Sequence, residues 1–150
     1  MKPMNPQEIE AVVNARFRIF LVFWAALLVS VALLTTLSVA LPSKGTPNVM
    51  LSYALAFLGI MNFGLSFLLK QSLTRKAIDQ NDIAGLQSAF IVGLALAEST
   101  ALFGLVNHFA TGWSTISWLL FAVSAAGILL KFPSKEQIRA VSYPSNQQAQ

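Results

Sequence analysis

Glu98 is a carboxylic acid inside a long apolar run, and its position suggests ion-binding chemistry. It follows Ile83, the first residue of that run, by fifteen positions. At about 1.5 Å per residue, the carboxyl lies about 22 Å along a helix, past the middle of a hydrocarbon layer about 30 Å thick. A charged carboxylate is costly at that depth, so it must stay protonated, bind a cation or face a watery path. Such a group suits an ion carrier. The alternative is a neutral acid that only hydrogen-bonds a neighbouring helix.

This apolar run is one of four in a chain of 150 residues. The chain is 55% hydrophobic and 11% charged, with a mean hydropathy of +0.64, whereas soluble domains are about 25% charged. Each run has about the length of a membrane-spanning helix, 17–25 residues, and the runs cover residues 17–41, 48–69, 83–106 and 113–130. The sequence therefore predicts an all-α integral membrane protein of four transmembrane helices, arranged in a lipid bilayer as two antiparallel hairpins.

The basic residues are distributed unevenly between the two ends of these runs. Three lie before or at the start of the first run, one in the first loop, three in the second, none in the third, and three after the fourth. Because cytoplasmic loops carry an excess of Lys and Arg, both termini and the second loop are predicted to be cytoplasmic. A multi-pass protein of the bacterial inner membrane is expected. The formal net charge of +4 is explained by this distribution of basic residues at the ends of the spans, so no nucleic-acid partner is predicted.

Three segments outside the apolar runs have local signals. Asn5, followed by proline and then an acidic residue, has the spacing of a helix start, so residues 5–16 are predicted to form an interfacial helix that leads into the first span. Asp82, at the end of the polar stretch 70–82, is predicted to cap the third span. Residues 134–150 form a polar tail that is expected to be disordered.

Small residues recur every four positions along the third run. A spacing of four places them on one side of a helix, where they let two helix backbones approach closely. The sequence therefore predicts a helix-packing stripe made of Gly85, Ala89, Gly93, Ala97 and Ala101.

Residues 93–106, GLALAESTALFGLV, resemble the second helix of subunit c, the proteolipid of rotary ATP synthases. In that family the ion-carrying carboxylate lies in a G-L-A-x-x-E-A-x-x-x-x-G-L-V setting. An apolar helix followed by a basic loop precedes it in both, so the resemblance covers about residues 49–106. It implies that Glu98 carries a proton, or less readily sodium, within an oligomeric assembly related to the ATP synthase rotor.

The resemblance also implies further ion-binding residues. Ser99 and Thr100 match hydroxyl positions that supply ligands in the sodium-dependent members. Asn62 is near the place of a glutamine on the first hairpin helix and could donate its amide to Glu98, or equally to any nearby helix. Phe103 stands at the family's tyrosine position and lacks the hydroxyl, which favours protons over sodium.

The basic loop of the family contacts the catalytic head, which implies that role for Arg75 and Lys76. The chain also departs from the family. Its first hairpin helix holds only Gly59 and Gly64, where the family has closely spaced glycines that build the narrow inner ring. Two additional apolar runs flank the hairpin, and neither holds a carboxylate. The expected partners are further copies of the chain or another subunit of a membrane complex.

Composition excludes several other functions. With no Cys and one His, the chain offers no disulfide framework, zinc ribbon or histidine metal cluster. No cofactor or metal site is predicted, and no catalytic residues are indicated. The chain is expected to catalyse no reaction by itself, and it could contribute to an enzyme only as an ion-translocating subunit of an ATP synthase-like complex. The alternative is a four-helix structural or interaction protein without ion transport, in which Glu98 is a buried hydrogen-bonding residue.

Overall fold

The computed structural model describes residues 6–112 and 114–142, and all regular structure in those two ranges is helical. It comprises α1 (Pro6–Ala40), α2 (Val49–Asp79), α3 (Ile83–Thr111), α4 (Ser114–Leu129) and α5 (Lys135–Ser142). The first three are long and apolar enough to cross a membrane, whereas α4 is a shorter apolar helix. The all-α prediction is confirmed.

Some sequence predictions fall outside the described residues. These are the cap at Asn5, the first residue of the fourth run (Trp113) and positions 143–150 of the tail.

Helix α1 continues without a break through the predicted interfacial segment and the first apolar run. No Gly or Pro occurs between positions 7 and 41 to interrupt the helix. The helix ends at Ala40, shortly before Pro42, because a proline disfavours helical geometry at the residue before it. The hydroxyls of Thr35 and Thr36 donate to the carbonyls of Val31 and Ala32, each at 2.8 Å. These polar groups are thus satisfied by hydrogen bonds within α1.

Helix α2 extends beyond the apolar run that ends at residue 69. Residues 70–79, which the sequence assigned to a polar loop, are helical, because this stretch contains no Gly or Pro to interrupt the helix. At its other end, the Asn48 side chain caps α2 by accepting a hydrogen bond from the Leu51 amide at 3.0 Å. The polar stretch therefore lengthens a helix instead of forming an extended loop.

The connection from α2 to α3 uses only residues 80–82. Asn81 adopts a left-handed conformation with φ of 52°, which asparagine tolerates better than most residues. Asp82 then accepts a hydrogen bond from the Ala84 amide at 3.0 Å. The prediction that Asp82 caps this helix is confirmed.

Helix α3 lies at the centre of the bundle and packs against α2, α4 and α1. Of the five residues in the predicted small-residue stripe, Gly85 is half-buried and the other four are buried. Ala97 lies where α4 crosses, and its carbonyl accepts a hydrogen bond from the Ser124 hydroxyl at 2.7 Å. A Cβ atom added at Gly127 would lie 3.5 Å from the Cβ of Ala97. Small side chains therefore permit the close approach of α3 and α4.

The two ends of the bundle are each closed by contacts between elements distant in the sequence. At one end, the Ser43 hydroxyl after α1 donates to the His108 carbonyl of α3 at 2.6 Å. At the other, Arg139 of α5 pairs with Glu10 of α1 at 2.9 Å. The start of α1 and helix α5 therefore lie at the same end of the bundle.

Helix α5 occupies part of the tail that the sequence predicted to be disordered. Its Ile138 and Val141 side chains are only 1% and 3% exposed, and α5 packs against α1, α2 and α3. The expectation of disorder was wrong for residues 135–142. Two apolar side chains three positions apart give little helical signal in a sequence, but they share one face of a helix and can be buried together.

Candidate ion-binding site

Glu98 lies near the middle of α3, on the side that faces α1. Fifteen residues of the helix precede it and thirteen follow it, because α3 extends beyond the predicted run to Thr111. The Ser30 hydroxyl of α1 donates a hydrogen bond to Oε1 of Glu98. Across residues 6–112 and 114–142, no other group donates to this carboxyl. Glu98 itself is half-buried.

The packing of its neighbours explains why Glu98 faces α1. Ala97 contacts α4, and Thr100 faces α2, where its hydroxyl donates to the Gly59 carbonyl at 3.1 Å. One residue turns an α-helix by about 100°. Glu98 is therefore directed away from the contacts that Ala97 makes and toward the remaining neighbour, α1.

The structure does not direct the other predicted ion-binding side chains at Glu98. The Ser99 hydroxyl donates to the Leu96 carbonyl of its own helix at 2.8 Å, and the Thr100 hydroxyl is in the seam with α2. Asn62 is half-buried, and the described part of the chain contains no hydrogen bond from its amide to Glu98. The side chain that the structure brings to the carboxyl is Ser30.

Ser30 links the carboxyl to the outer surface of α1. It lines an open, mainly apolar groove of about 470 Å³, together with Leu33, Leu34, Thr36, Leu37 and Ala40. Glu98 therefore lies behind a hydroxyl that borders an accessible surface, and not behind a sealed layer of apolar side chains.

Sequence reasoning did not identify Ser30. The available signal was that Ser30 is the first hydroxyl after eleven consecutive apolar residues in the first run, which is an unusual place for a polar group. Its partner could not be derived from this spacing, because the rotation of α1 against α3 depends on side-chain packing along both helices.

A second polar cluster joins α2, α3 and α4 at the end of the bundle where Ser43 contacts His108. The Ser52 hydroxyl donates to Oδ1 of Asn107 at 2.7 Å, and Nδ2 of Asn107 donates to the Ser117 hydroxyl at 3.0 Å. Ser52 also lies 2.8 Å from the Thr111 hydroxyl. All four side chains are buried and hydrogen-bonded to one another, which is the arrangement expected of a network that holds three helices in register.

Lys131 is a second residue whose environment the sequence did not reveal. Its position just after the fourth run predicts an exposed cytoplasmic charge, yet Lys131 is only 1% exposed. Its Nζ donates to the Ser66 hydroxyl of α2 at 2.8 Å and lies 3.7 Å from the centre of the Phe67 ring. Burial and the positive charge of Lys70 lower the pKa of Lys131 to about 8.

The two residues predicted to contact a catalytic head lie on the polar part of α2. Arg75 and Lys76 are both exposed. They are accordingly available to a partner.

Metal binding is not indicated by the geometry: within residues 6–112 and 114–142, no three His, Cys, Asp or Glu side chains are grouped so as to hold a metal ion. Comparison with protein-family models, with curated proteins and with solved structures found no match to this chain.

Proposed function

We propose that this chain is a membrane protein that binds and releases a proton at Glu98. The observation that carries the proposal is a carboxyl near the middle of a helix long enough to span a membrane, half-buried and hydrogen-bonded only to Ser30 among the described residues. A charged carboxylate at such a depth in lipid is costly, because it loses its hydration. Intramembrane acids of this kind are functional candidates by default.

The Ser30 hydroxyl supports proton exchange because it can act in both protonation states. It donates to the carboxylate when Glu98 is ionised, and it can accept from the acid O–H when Glu98 is protonated. A proton is favoured over sodium, since a sodium site would need several oxygens around the carboxyl, and the Ser99 and Thr100 hydroxyls are directed at backbone carbonyls instead.

The wider architecture is part of the same proposal. Helices α1 to α3 and the shorter α4 would cross the bilayer, with the ends bearing the basic residues in the cytoplasm. The motif at residues 93–106 supports a relationship to the rotor proteolipid, and the close packing of α2 against α3 is compatible with such a hairpin. A second copy or another subunit that reaches Glu98 would then approach from the α1 side, where Ser30 borders the open groove.

A structural function is the second candidate, and the same hydrogen bond favours it. The Ser30–Glu98 bond joins α1 to α3, and most of the α1 surface is otherwise exposed. In this interpretation the acid stays protonated and holds the two helices together.

Glu98→Gln separates the two functions, because glutamine retains an acceptor oxygen for Ser30 and cannot carry a proton. The purified protein is placed in vesicles, and proton flux is measured with an internal pH dye. In parallel, a hydrophobic carbodiimide, which reacts with protonated carboxyls in apolar surroundings, is used to label the protein.

A proton-binding site predicts carbodiimide labelling of Glu98 that slows as the pH rises, together with proton flux that Glu98→Gln abolishes. Glu136→Gln, a change of the same type on exposed α5, should leave both unchanged. Equal flux from the wild type and Glu98→Gln, with labelling that does not depend on pH, would refute the proposal and favour the structural function.

A further inference from the structure

A groove lined by one aromatic and five polar residues, whose surface is mainly the apolar parts of these side chains, lies between the last turns of α2 and helix α5. Its volume is about 270 Å³, and its walls are Phe67, Lys70, Gln71, Thr74, Arg75 and Gln137. The five residues from α2 recur at spacings of three and four, which places them on one face of the helix. All of the lining residues except Phe67 have side chains that can donate a hydrogen bond.

These donors have no acceptor within the described part of the protein. The five polar side chains make no hydrogen bond or ion pair there, and the nearby ion pair joins Arg139 to Glu10. Lys70 and Arg75 are therefore two cationic residues in the wall of the groove without a counterion, and Nζ of Lys70 lies 5.5 Å from the centre of the Phe90 ring of α3.

A third positive charge lies behind the apolar wall. Nζ of Lys131 lies 3.7 Å from the centre of the Phe67 ring, and Phe67 lines the groove. The influence of Lys70 on the pKa of Lys131 indicates that these two cations repel each other. An anion in the groove would relieve this repulsion and interact favourably with all three charges.

We infer that this groove binds the phosphate of an anionic phospholipid headgroup. The groove lies toward the polar end of α2, which is long enough to cross a membrane. If α2 crosses a bilayer, this end of the helix is at the depth of the lipid headgroups. Cations and neutral donors suit phosphate oxygens, and basic pockets between helices at this level are typical of anionic-lipid sites. The inference does not depend on whether Glu98 exchanges protons.

Arg75→Gln and Lys76→Gln provide a matched test. The two residues are adjacent and exposed on α2, and each substitution removes one charge, but only Arg75 lines the groove. The full chain in a neutral detergent is titrated with phosphatidylglycerol or phosphatidylcholine, and native mass spectrometry counts the bound lipids. Circular dichroism verifies that each variant is folded.

If the groove binds a phospholipid headgroup, the wild type should retain phosphatidylglycerol in preference to phosphatidylcholine. Arg75→Gln should weaken phosphatidylglycerol binding about tenfold, as expected for the loss of a charge-assisted hydrogen bond to a phosphate oxygen, while Lys76→Gln changes it by less than about twofold. Gln137→Leu, on α5, should also weaken binding, because it removes a donor from the opposite wall.

Two outcomes would overturn the inference. Equal weakening by Arg75→Gln and Lys76→Gln would indicate diffuse attraction to a basic surface, and equal retention of the two lipids would exclude a headgroup site. A separate titration with inorganic phosphate distinguishes the source of the anion. If inorganic phosphate displaces phosphatidylglycerol at comparable concentration, the groove binds a soluble phosphate and the lipid assignment is wrong.

Discussion

Nζ of Lys131 lies 2.8 Å from the hydroxyl of Ser66, across sixty-five positions of the sequence. This contact joins the chain just after α4 to α2 and places an ammonium group in the interior of the bundle. Ser66 also donates to the Phe63 carbonyl at 2.5 Å, so its hydroxyl is satisfied without the lysine. Burial of the Lys131 ammonium therefore destabilises the bundle by removing its hydration, and the hydrogen bond to Ser66 offsets this cost only in part.

Lys131→Met should increase stability near neutral pH. Methionine can fill the space of the lysine stem without a buried charge, and we expect the free energy of unfolding to rise by about 1 kcal/mol at pH 7. Thermal unfolding in neutral detergent, followed by tryptophan fluorescence, measures the change. Lys44→Met, an exposed position in the loop after α1, serves as the control and should change stability by less than about 0.5 kcal/mol.

The pH dependence of this effect has a defined sign. The pKa of Lys131 is about 8 in the folded protein and about 10.5 ordinarily, so between these values the unfolded chain binds a proton that the folded chain does not. The wild type should gain stability relative to Lys131→Met as the pH rises from about 8 to about 10.5. A constant difference across this interval would show that the Lys131 charge is not buried at a cost.

Ser30→Ala should lower the free energy of unfolding. The substitution removes the donor of the hydrogen bond that joins α1 to Glu98 of α3, and an intramolecular hydrogen bond typically contributes about 0.5–1.5 kcal/mol to stability. We expect a loss of about 1 kcal/mol, measured by thermal unfolding in neutral detergent.

Ser99→Ala is the control for this measurement, because the Ser99 hydroxyl donates to the Leu96 carbonyl of its own helix and not to Glu98. It should change stability by less than about 0.5 kcal/mol. If the two alanine variants unfold with the same free energy, the Ser30–Glu98 hydrogen bond does not hold α1 against α3.

Gly45→Ala should destabilise the protein, whereas Gly64→Ala should stabilise it. A Cβ atom at Gly45 would lie 2.6 Å from the Ala110 backbone carbon, which cannot move without shifting α3. We expect a loss of about 1–3 kcal/mol. Gly64 lies within α2 with nothing within 4 Å of the added atom, so alanine should add about 0.5–1 kcal/mol through its higher helix propensity.

Chemical or thermal unfolding of both glycine variants, compared with the wild type, tests this pair. A neutral effect of Gly45→Ala would mean that the loop after α1 does not pack closely on the end of α3. Loss of stability in Gly64→Ala would mean that this face of α2 contacts another molecule.

The local features of the chain were largely readable from its sequence. Long apolar runs predict helices because every backbone amide must be satisfied within a segment when water is absent, and Asp82 could be assigned as a cap from its position before such a run. Glu98 was recognisable as a candidate site because a single acid among apolar residues is costly wherever its helix is placed in lipid.

Tertiary structure alone decided which groups meet. Ser30, Lys131 and the Ile138 face of α5 have no distinctive spacing in the sequence, and their environments depend on how the helices are rotated and where they cross. Those angles result from the packing of many side chains along each helix. Sequence therefore determined that an acid lies within an apolar helix, whereas packing determined that its partner is a serine on α1.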